Sequence, residues 1–178
     1  MDFKLLQTKK GKIITSFILL IYLLLLVRVI LFKYPLTMIL AILKSNEISL
    51  LKLRLANSNF VPLKTIFYYL FVNRNVAISL RSISLRNLLG NIIAFLPLGF
   101  LLPVVFYRIT KIRVILLSSF ALSLTFEVIQ LLTGIGDFDV DDILLNMLGS
   151  ICGYVLYRVF CLLDARHRSG TKKENDPA

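Results

Sequence analysis

The sequence predicts an all-α membrane protein, a bundle of four transmembrane helices with an extended or interfacial segment between the first and second. Two observations lead to this prediction. Of the 178 residues, 57% are hydrophobic and 17% are charged, whereas a soluble domain carries about 25% charged residues. The apolar residues also gather into four runs, each long enough to cross a hydrocarbon layer of ~30 Å. At this length we expect one domain.

The net charge of +11 raises the question of nucleic-acid binding. The basic residues sit at the ends of the apolar runs and do not cluster in one polar domain. That placement is typical of residues that orient membrane helices and contact anionic lipids. We therefore expect membrane lipids as partners, and no nucleic acid.

The first apolar run, residues 13–32, follows a basic segment, residues 1–12. A basic start followed by leucines resembles a secretory signal peptide, but the run is too long and no small-residue cleavage site follows it. We interpret it as a retained first transmembrane helix.

Three further runs complete the predicted bundle, at residues 88–107, 114–132 and 143–163. The second contains Pro97 and Pro103, which membrane helices tolerate with a kink. Residues 164–178 are polar and charged, and we predict a disordered cytoplasmic tail there.

The connection between the first two runs contains two recognisable pieces. Residues 51–55 alternate leucine with a basic residue, which predicts a short extended stretch. Residues 65–71 are rich in aromatic side chains, which is typical of a segment at the membrane interface.

Basic residues near the ends of the runs predict the orientation. The N-terminus, the Arg108–Arg113 turn and the tail are basic, whereas residues 133–142 contain four aspartates and no basic residue. Both termini are therefore predicted to be cytoplasmic, in a multi-pass protein of the cell membrane. The connection at residues 33–87 violates this pattern with eight basic residues, but long segments follow the rule poorly.

Polar side chains inside the apolar runs cost free energy in the hydrocarbon layer, so they usually have a structural or functional role. In the predicted orientation they lie at one depth near the outer face, so we predict a ligand-binding or functional polar cluster there, formed by Arg28, Asn91, Glu127, Gln130, Asp141, Asp142 and Asn146.

Structural roles remain open for the members of this cluster. Glu127 could pair with Arg28 or be held protonated, and Arg28 could snorkel to the interface. Asp141 or Asp142 could cap the fourth helix. The amides of Asn91 and Asn146 could form hydrogen bonds between helices.

Asp137, Asp139 and Asp141 alternate like the start of a calcium loop, in which carboxylate oxygens bind Ca²⁺ or Mg²⁺. The glycine and glutamate that complete such a loop are absent, since Asp142 and Leu148 occupy those positions. We expect no metal and no cofactor, with this aspartate set as a weak alternative. Cys152 and Cys161 are too far apart on one helix for a disulfide.

Several motifs together resemble the VanZ-like family of membrane proteins. They are Ser123–Gln130, Gly136-Asp137, Val140–Asn146 with Gly149, Asn91–Gly99, and Asn59–Ile66 with leucine at 63 where phenylalanine is usual. The resemblance covers about residues 13–163. It implies an envelope protein of Gram-positive bacteria linked to teicoplanin resistance, without an assigned catalytic activity. By position the resemblance also implies a functional role for most of the polar cluster, and it adds Asp137 to that cluster.

Three functions stay open. The first is a protein that lowers susceptibility to teicoplanin-type lipoglycopeptide antibiotics, binding the antibiotic or a lipid-linked wall precursor. The second is a membrane enzyme in which Glu127 and Asp142 act as acid and base on a lipid-linked substrate. The sequence has no recognised catalytic motif, which disfavours it. The third is a subunit of a small transporter, which would need oligomerisation.

Overall fold

The computed structural model describes residues 8–32, 35–44, 48–71, 78–106 and 111–174. Within these ranges the chain forms seven helices. In chain order they are α1 (Lys9–Leu31), α2 (Leu36–Lys44), α3 (Ile48–Asn57), α4 (Lys64–Phe71), α5 (Ile78–Val105), α6 (Ile112–Thr133) and α7 (Val140–Glu174).

Four of these helices are long and apolar enough to cross a membrane, which confirms the predicted all-α fold with four spans. The spans are Lys9–Leu31, Arg86–Val105, Ile112–Thr133 and Val140–Arg166. Helix α5 begins ten residues before the predicted second run, because hydropathy marks the part of a helix in lipid and not its full length. The predicted end of that run at residue 107, Arg108 in the following turn and the tail after residue 174 lie outside the described residues.

The prediction of an extended stretch at residues 51–55 is wrong, because these residues lie inside α3. Their leucine, lysine and arginine side chains are good helix formers, and that preference outweighs a short period-two pattern. The aromatic stretch at residues 65–71 is also helical, in α4, and Phe67, Tyr68 and Phe71 on it are exposed. Exposed aromatic side chains fit a helix that lies at the membrane interface.

The predicted disorder of residues 164–178 is wrong for the portion up to Glu174, since α7 continues to that residue. An existing helix extends without the cost of a new nucleus, so a polar continuation rich in lysine and arginine can remain helical. Gly170 lies within this continuation, and one glycine costs about 1 kcal/mol, which is not enough to end it.

Helices α5 and α7 pack with their backbones in direct contact. A Cβ atom added to Gly149 would lie 2.1 Å from the carbonyl oxygen of Ile92, and one added to Gly153 would lie 1.9 Å from that of Leu96. On the facing helix, a Cβ on Gly99 would lie 1.9 Å from the carbonyl oxygen of Ser150. Gly149 and Gly153 form a Gly-x-x-x-Gly pair, a pattern that lets membrane helices approach closely.

Helix α1 packs on α5 and α6 through an apolar cluster that includes Leu26, Ile30, Phe95 and Phe126. The hydroxyl group of Tyr22 donates a hydrogen bond of 2.7 Å to the carbonyl oxygen of Ala94. Pro97, one turn along α5, has no amide hydrogen and disturbs the helix ladder at this point. The amide that Pro97 lacks would have bonded to the carbonyl oxygen of Ile93, so Tyr22 bonds to the neighbouring carbonyl and ties α1 to α5 beside the proline.

Candidate functional site

A polar cavity of about 780 Å³ lies where the ends of the four spans meet. Its walls come from the end of α1, the first membrane turns of α5, the end of α6 and the turn before α7, with further residues from the segment 57–65. The lining residues are Val29, Ile30, Asn57, Asn59, Lys64, Thr65, Arg86, Asn87, Gly90, Asn91, Ala94, Gln130, Ile135, Gly136, Asp137, Phe138, Asp139 and Asp142. Four residues of the predicted cluster line it: Asn91, Gln130, Asp137 and Asp142.

One wall is built by a short backbone pairing between two distant segments. The amide of Asn59 donates to the carbonyl oxygen of Phe138 at 2.8 Å, and the amide of Val140 donates to that of Asn59 at 3.0 Å. Asn59 and Asp139 thus form an isolated parallel bridge, and the rings of Phe60 and Phe138 stack beside it at 5.2 Å. The connection between the first two spans is therefore fixed to the turn before α7.

Asp139 is the N-cap residue of α7 and also holds the opposite segment. Its Oδ1 accepts the backbone amide of Asp141 at 2.8 Å, which is the capping bond of a helix start. The same oxygen accepts from Nδ2 of Asn59 at 2.8 Å, and Oδ2 accepts from the hydroxyl group of Thr65 at 2.8 Å. The prediction that Asp141 or Asp142 caps α7 is wrong, because the capping aspartate is the residue before the helix.

Asp141 caps a different helix, α4. Its side chain is fully buried. Its Oδ2 accepts the amides of Thr65 at 2.6 Å and Ile66 at 3.1 Å, in the first turn of α4, and its Oδ1 accepts the amide of Leu63. A carboxylate at a helix N-terminus satisfies amides that have no partner in the helix and suits the helix dipole. Leu63 has a positive φ of 67°, a conformation that costs a leucine energy, and the Asp141 carboxylate holds it there.

Glu127 lies behind the cavity wall. It is 2% exposed, and its Oε2 accepts the backbone amide of Asp139 at 2.9 Å. Arg28 is exposed and donates to the carbonyl oxygen of Phe32 at the end of α1, as a snorkelling arginine does. Arg28 is not among the described residues that line the cavity. Glu127 therefore supports the aspartate turn, and Arg28 stands apart from the predicted cluster.

Gln130 and Asn146 link helices at two depths. Nε2 of Gln130 donates to the carbonyl oxygen of Ile30 at 3.1 Å, at the level of the cavity. Deeper in the bundle, Nδ2 of Asn146 donates to the hydroxyl group of Ser123 at 2.8 Å, and Ser150 donates to Ser119 at 2.9 Å. These buried contacts join α6 to α7, so Asn146 belongs to the bundle interior.

The three alternating aspartates do not converge on a common point that could hold a cation. Asp139 and Asp141 direct their oxygens at N–H and O–H donors, whose hydrogens would repel a metal ion. Asp137 is exposed on the cavity wall. Among the residues that the structure describes, no group of three His, Cys, Asp or Glu side chains is placed to hold a metal ion.

Arg54 fixes the end of α6 near the cavity. Its guanidinium lies 3.5 Å from the carbonyl oxygens of Leu131 and Leu132, in the last turn of α6. Gly134 follows in the left-handed conformation, with φ of 73°. A Cβ atom on Gly134 would lie 2.2 Å from the Arg54 guanidinium, so the left-handed φ favours glycine and a larger residue would displace the Arg54 side chain.

Sequence reasoning missed part of the site, namely Asn59, Lys64, Thr65, Arg86 and Asp139 as structural or lining residues. Asn59, Lys64 and Thr65 fall in the segment 59–66 that carries part of the family resemblance. The resemblance identified this segment, but the spacing of its residues did not predict its contact with the turn before α7, about 80 positions away.

Comparison with known proteins agrees with the resemblance. The VanZ/LLP1 family model matches residues 19–161. Protein VanZ of Enterococcus faecium is 40% identical over 75 residues, a stretch that covers 40% of this chain and 44% of that protein. The match thus spans less than half of the relative's length. No solved structure matches the chain.

Proposed function

This chain belongs to the VanZ/LLP1 family, and from that premise we propose that it lowers susceptibility to teicoplanin-type lipoglycopeptide antibiotics at the bacterial cell membrane. The observation that carries the proposal is the polar cavity at one end of the four spans. Charged and amide side chains within membrane-spanning segments cost free energy, and the ones that a protein keeps there are commonly functional.

In the proposed orientation the cavity opens at the outer face and both termini are cytoplasmic. Lys9, Lys10, Lys12, Lys111 and Arg113 lie near the opposite ends of the first and third spans, and Arg166 ends the fourth. Basic residues favour the cytoplasmic side. The aspartate turn, residues 134–139, then faces the exterior, where lipoglycopeptides act.

The cavity has the size of a small-molecule site. Its volume of about 780 Å³ lies in the range of ~300–1,000 Å³ that holds drug-sized ligands. The ligand that this proposal gives it is a polar group, either part of the antibiotic or the headgroup of a lipid-linked wall precursor.

The geometry favours binding over acid–base catalysis. An acid–base pair must reach the substrate directly, but Glu127 is buried behind the wall and bonded to the Asp139 amide. Of the two carboxylates in the enzyme hypothesis, Asp142 lines the cavity and Glu127 is not among its described lining residues.

The test is expression of the chain in a susceptible Gram-positive strain, with the minimum inhibitory concentration of teicoplanin as the readout. We expect the wild type to raise this concentration and Asn91→Leu, which removes an amide from the cavity wall, to abolish the increase. A glycopeptide without an acyl chain shows whether protection depends on the lipid tail.

Arg28→Gln is the matched control, because Arg28 lies at the same end of the bundle but outside the cavity. It should protect as well as the wild type, with equal membrane abundance of all three proteins verified by immunoblot. Unchanged teicoplanin susceptibility with the wild-type chain would contradict the proposed function. Full protection by Asn91→Leu would show that the cavity does not take part in protection.

A further inference from the structure

The polar cavity carries both signs of charge on different walls. Lys64, at the start of α4, and Arg86, at the start of the membrane-spanning part of α5, bring positive charge. Asp137, in the turn before α7, and Asp142, in its first turn, bring negative charge. The cavity's remaining carboxylate, Asp139, is engaged by Asn59, Thr65 and the Asp141 amide, and so belongs to the framework.

Neutral hydrogen-bonding groups also line the cavity. The amide side chains of Asn87, Asn91 and Gln130 line the cavity and can both donate and accept. Gly90 lies between the two asparagines, and an added Cβ atom there would meet nothing within 4 Å. The cavity is therefore open and polar on the side formed by α5.

The cavity also lies beside surfaces suited to lipid. Val29 and Ile30 at the end of α1 form part of its lining. Helix α4, which contributes Lys64, exposes Phe67 and Tyr68, which are 59% and 51% exposed. Such aromatic side chains settle at the level of lipid headgroups, which places the charged walls at the same level.

We propose that this cavity binds a group that carries both a phosphate and a primary amine, presented as the headgroup of a membrane lipid. The phosphate lies toward Lys64 and Arg86, and the ammonium lies toward Asp137 and Asp142. A purely anionic group would be repelled by the two carboxylates, and a purely cationic group by the two basic side chains. A zwitterion of this type satisfies both walls with charge-assisted hydrogen bonds.

This inference rests on the site of the proposed function and names its ligand class. Arg86 and Asp142 already take part in interactions within the protein, so the ligand would join existing contacts. Lys64 and Asp137 are exposed, which makes them suitable positions for substitution without loss of the fold.

The experiment measures equilibrium binding of short-chain lipids to the purified full chain in detergent. The probes are phosphatidylethanolamine, phosphatidylglycerol, which has no amine, and diacylglycerol, which has neither group. We expect phosphatidylethanolamine to bind about tenfold more tightly than phosphatidylglycerol, since one charge-assisted contact is lost, and diacylglycerol to bind most weakly.

Two variants test the basic and the acidic side of the cavity separately. Lys64→Gln should weaken binding of both phospholipids, whereas Asp137→Asn should weaken phosphatidylethanolamine alone, each by about tenfold. Arg28→Gln and Lys111→Gln, which remove exposed cations outside the cavity, should change neither affinity. Equal affinity for the two phospholipids together with no effect of Asp137→Asn would overturn the inference.

Free phosphoethanolamine identifies the source of the group. Binding much weaker than that of the lipid supports a lipid headgroup, and equal affinity overturns the lipid assignment. The outcome is separable from that of the proposed function. Protection against teicoplanin without zwitterion selectivity would refute this inference alone, and selectivity without protection would refute the proposed function alone.

Discussion

At the scale of single residues, neighbouring aspartates have different roles because different donors meet them. Asp139 caps its own helix and holds Asn59 and Thr65. Asp141, two positions later, is fully buried and caps α4, which is distant in sequence. Asp137 and Asp142 line the cavity. The identity of each role follows from tertiary contacts that local sequence does not contain.

We predict that Asp141→Asn destabilises the fold by about 3 kcal/mol. The substitution removes the negative charge and turns an amide group toward backbone N–H donors, which leaves buried donors without an acceptor. The measurement is thermal unfolding of the purified protein in detergent, compared with the wild type.

Asp137→Asn is the control for this substitution, because Asp137 is exposed and its replacement should leave the unfolding temperature nearly unchanged. If Asp141→Asn unfolded at the same temperature as Asp137→Asn, the Asp141 carboxylate would not be the group that fixes α4 to the bundle.

At the scale of elements, contact between α5 and α7 depends on glycines. Gly149 and Gly153 face the carbonyl oxygens of Ile92 and Leu96 so closely that no side chain fits. Close backbone contact between helices strengthens dispersion attraction, which replaces the hydrophobic effect inside a bilayer. This closely packed helix pair therefore positions the cavity residues that α5 and α7 contribute.

Gly149→Ala should destabilise the bundle by on the order of 2 kcal/mol, because the new methyl group would force the two backbones apart. Gly90→Ala should be neutral or slightly stabilising, since space is free there and alanine favours a helix by about 1 kcal/mol. Unfolding of both variants in the same detergent is the measurement. Equal stability of the two would mean that the helices do not approach as closely as described.

The sequence predicted the helices that cross the membrane, because their apolar length is visible in it. It did not predict the features that depend on tertiary contacts. The four spans follow from apolar length, and they are found near the predicted positions. The stretch at residues 51–55 misled because its alternating pattern is too short to outweigh helix propensity. Within the site, depth in the membrane predicted Asn91, Gln130 and Asp142, and the family resemblance added Asp137. Depth also predicted Arg28, whose side chain bonds to Phe32 outside the cavity.

At the scale of the whole molecule, the ends of all four spans bring their polar residues to one end of the bundle. The segment 57–65 adds the remaining walls, held by the Asn59–Asp139 pairing. A charged cavity so placed has direct access to lipid headgroups and to water. The proposed function requires that this end faces the exterior of the cell.

Cysteine labelling of intact cells with a membrane-impermeant maleimide tests that requirement most directly. Cys152 and Cys161 are replaced by alanine, and single cysteines are introduced as Asp137→Cys at the cavity and Lys111→Cys before α6, both at exposed positions. We predict that position 137 reacts in intact cells and that position 111 reacts after lysis. Reaction of position 111 from outside, with position 137 protected until lysis, would show that the cavity faces the cytoplasm and contradict the account.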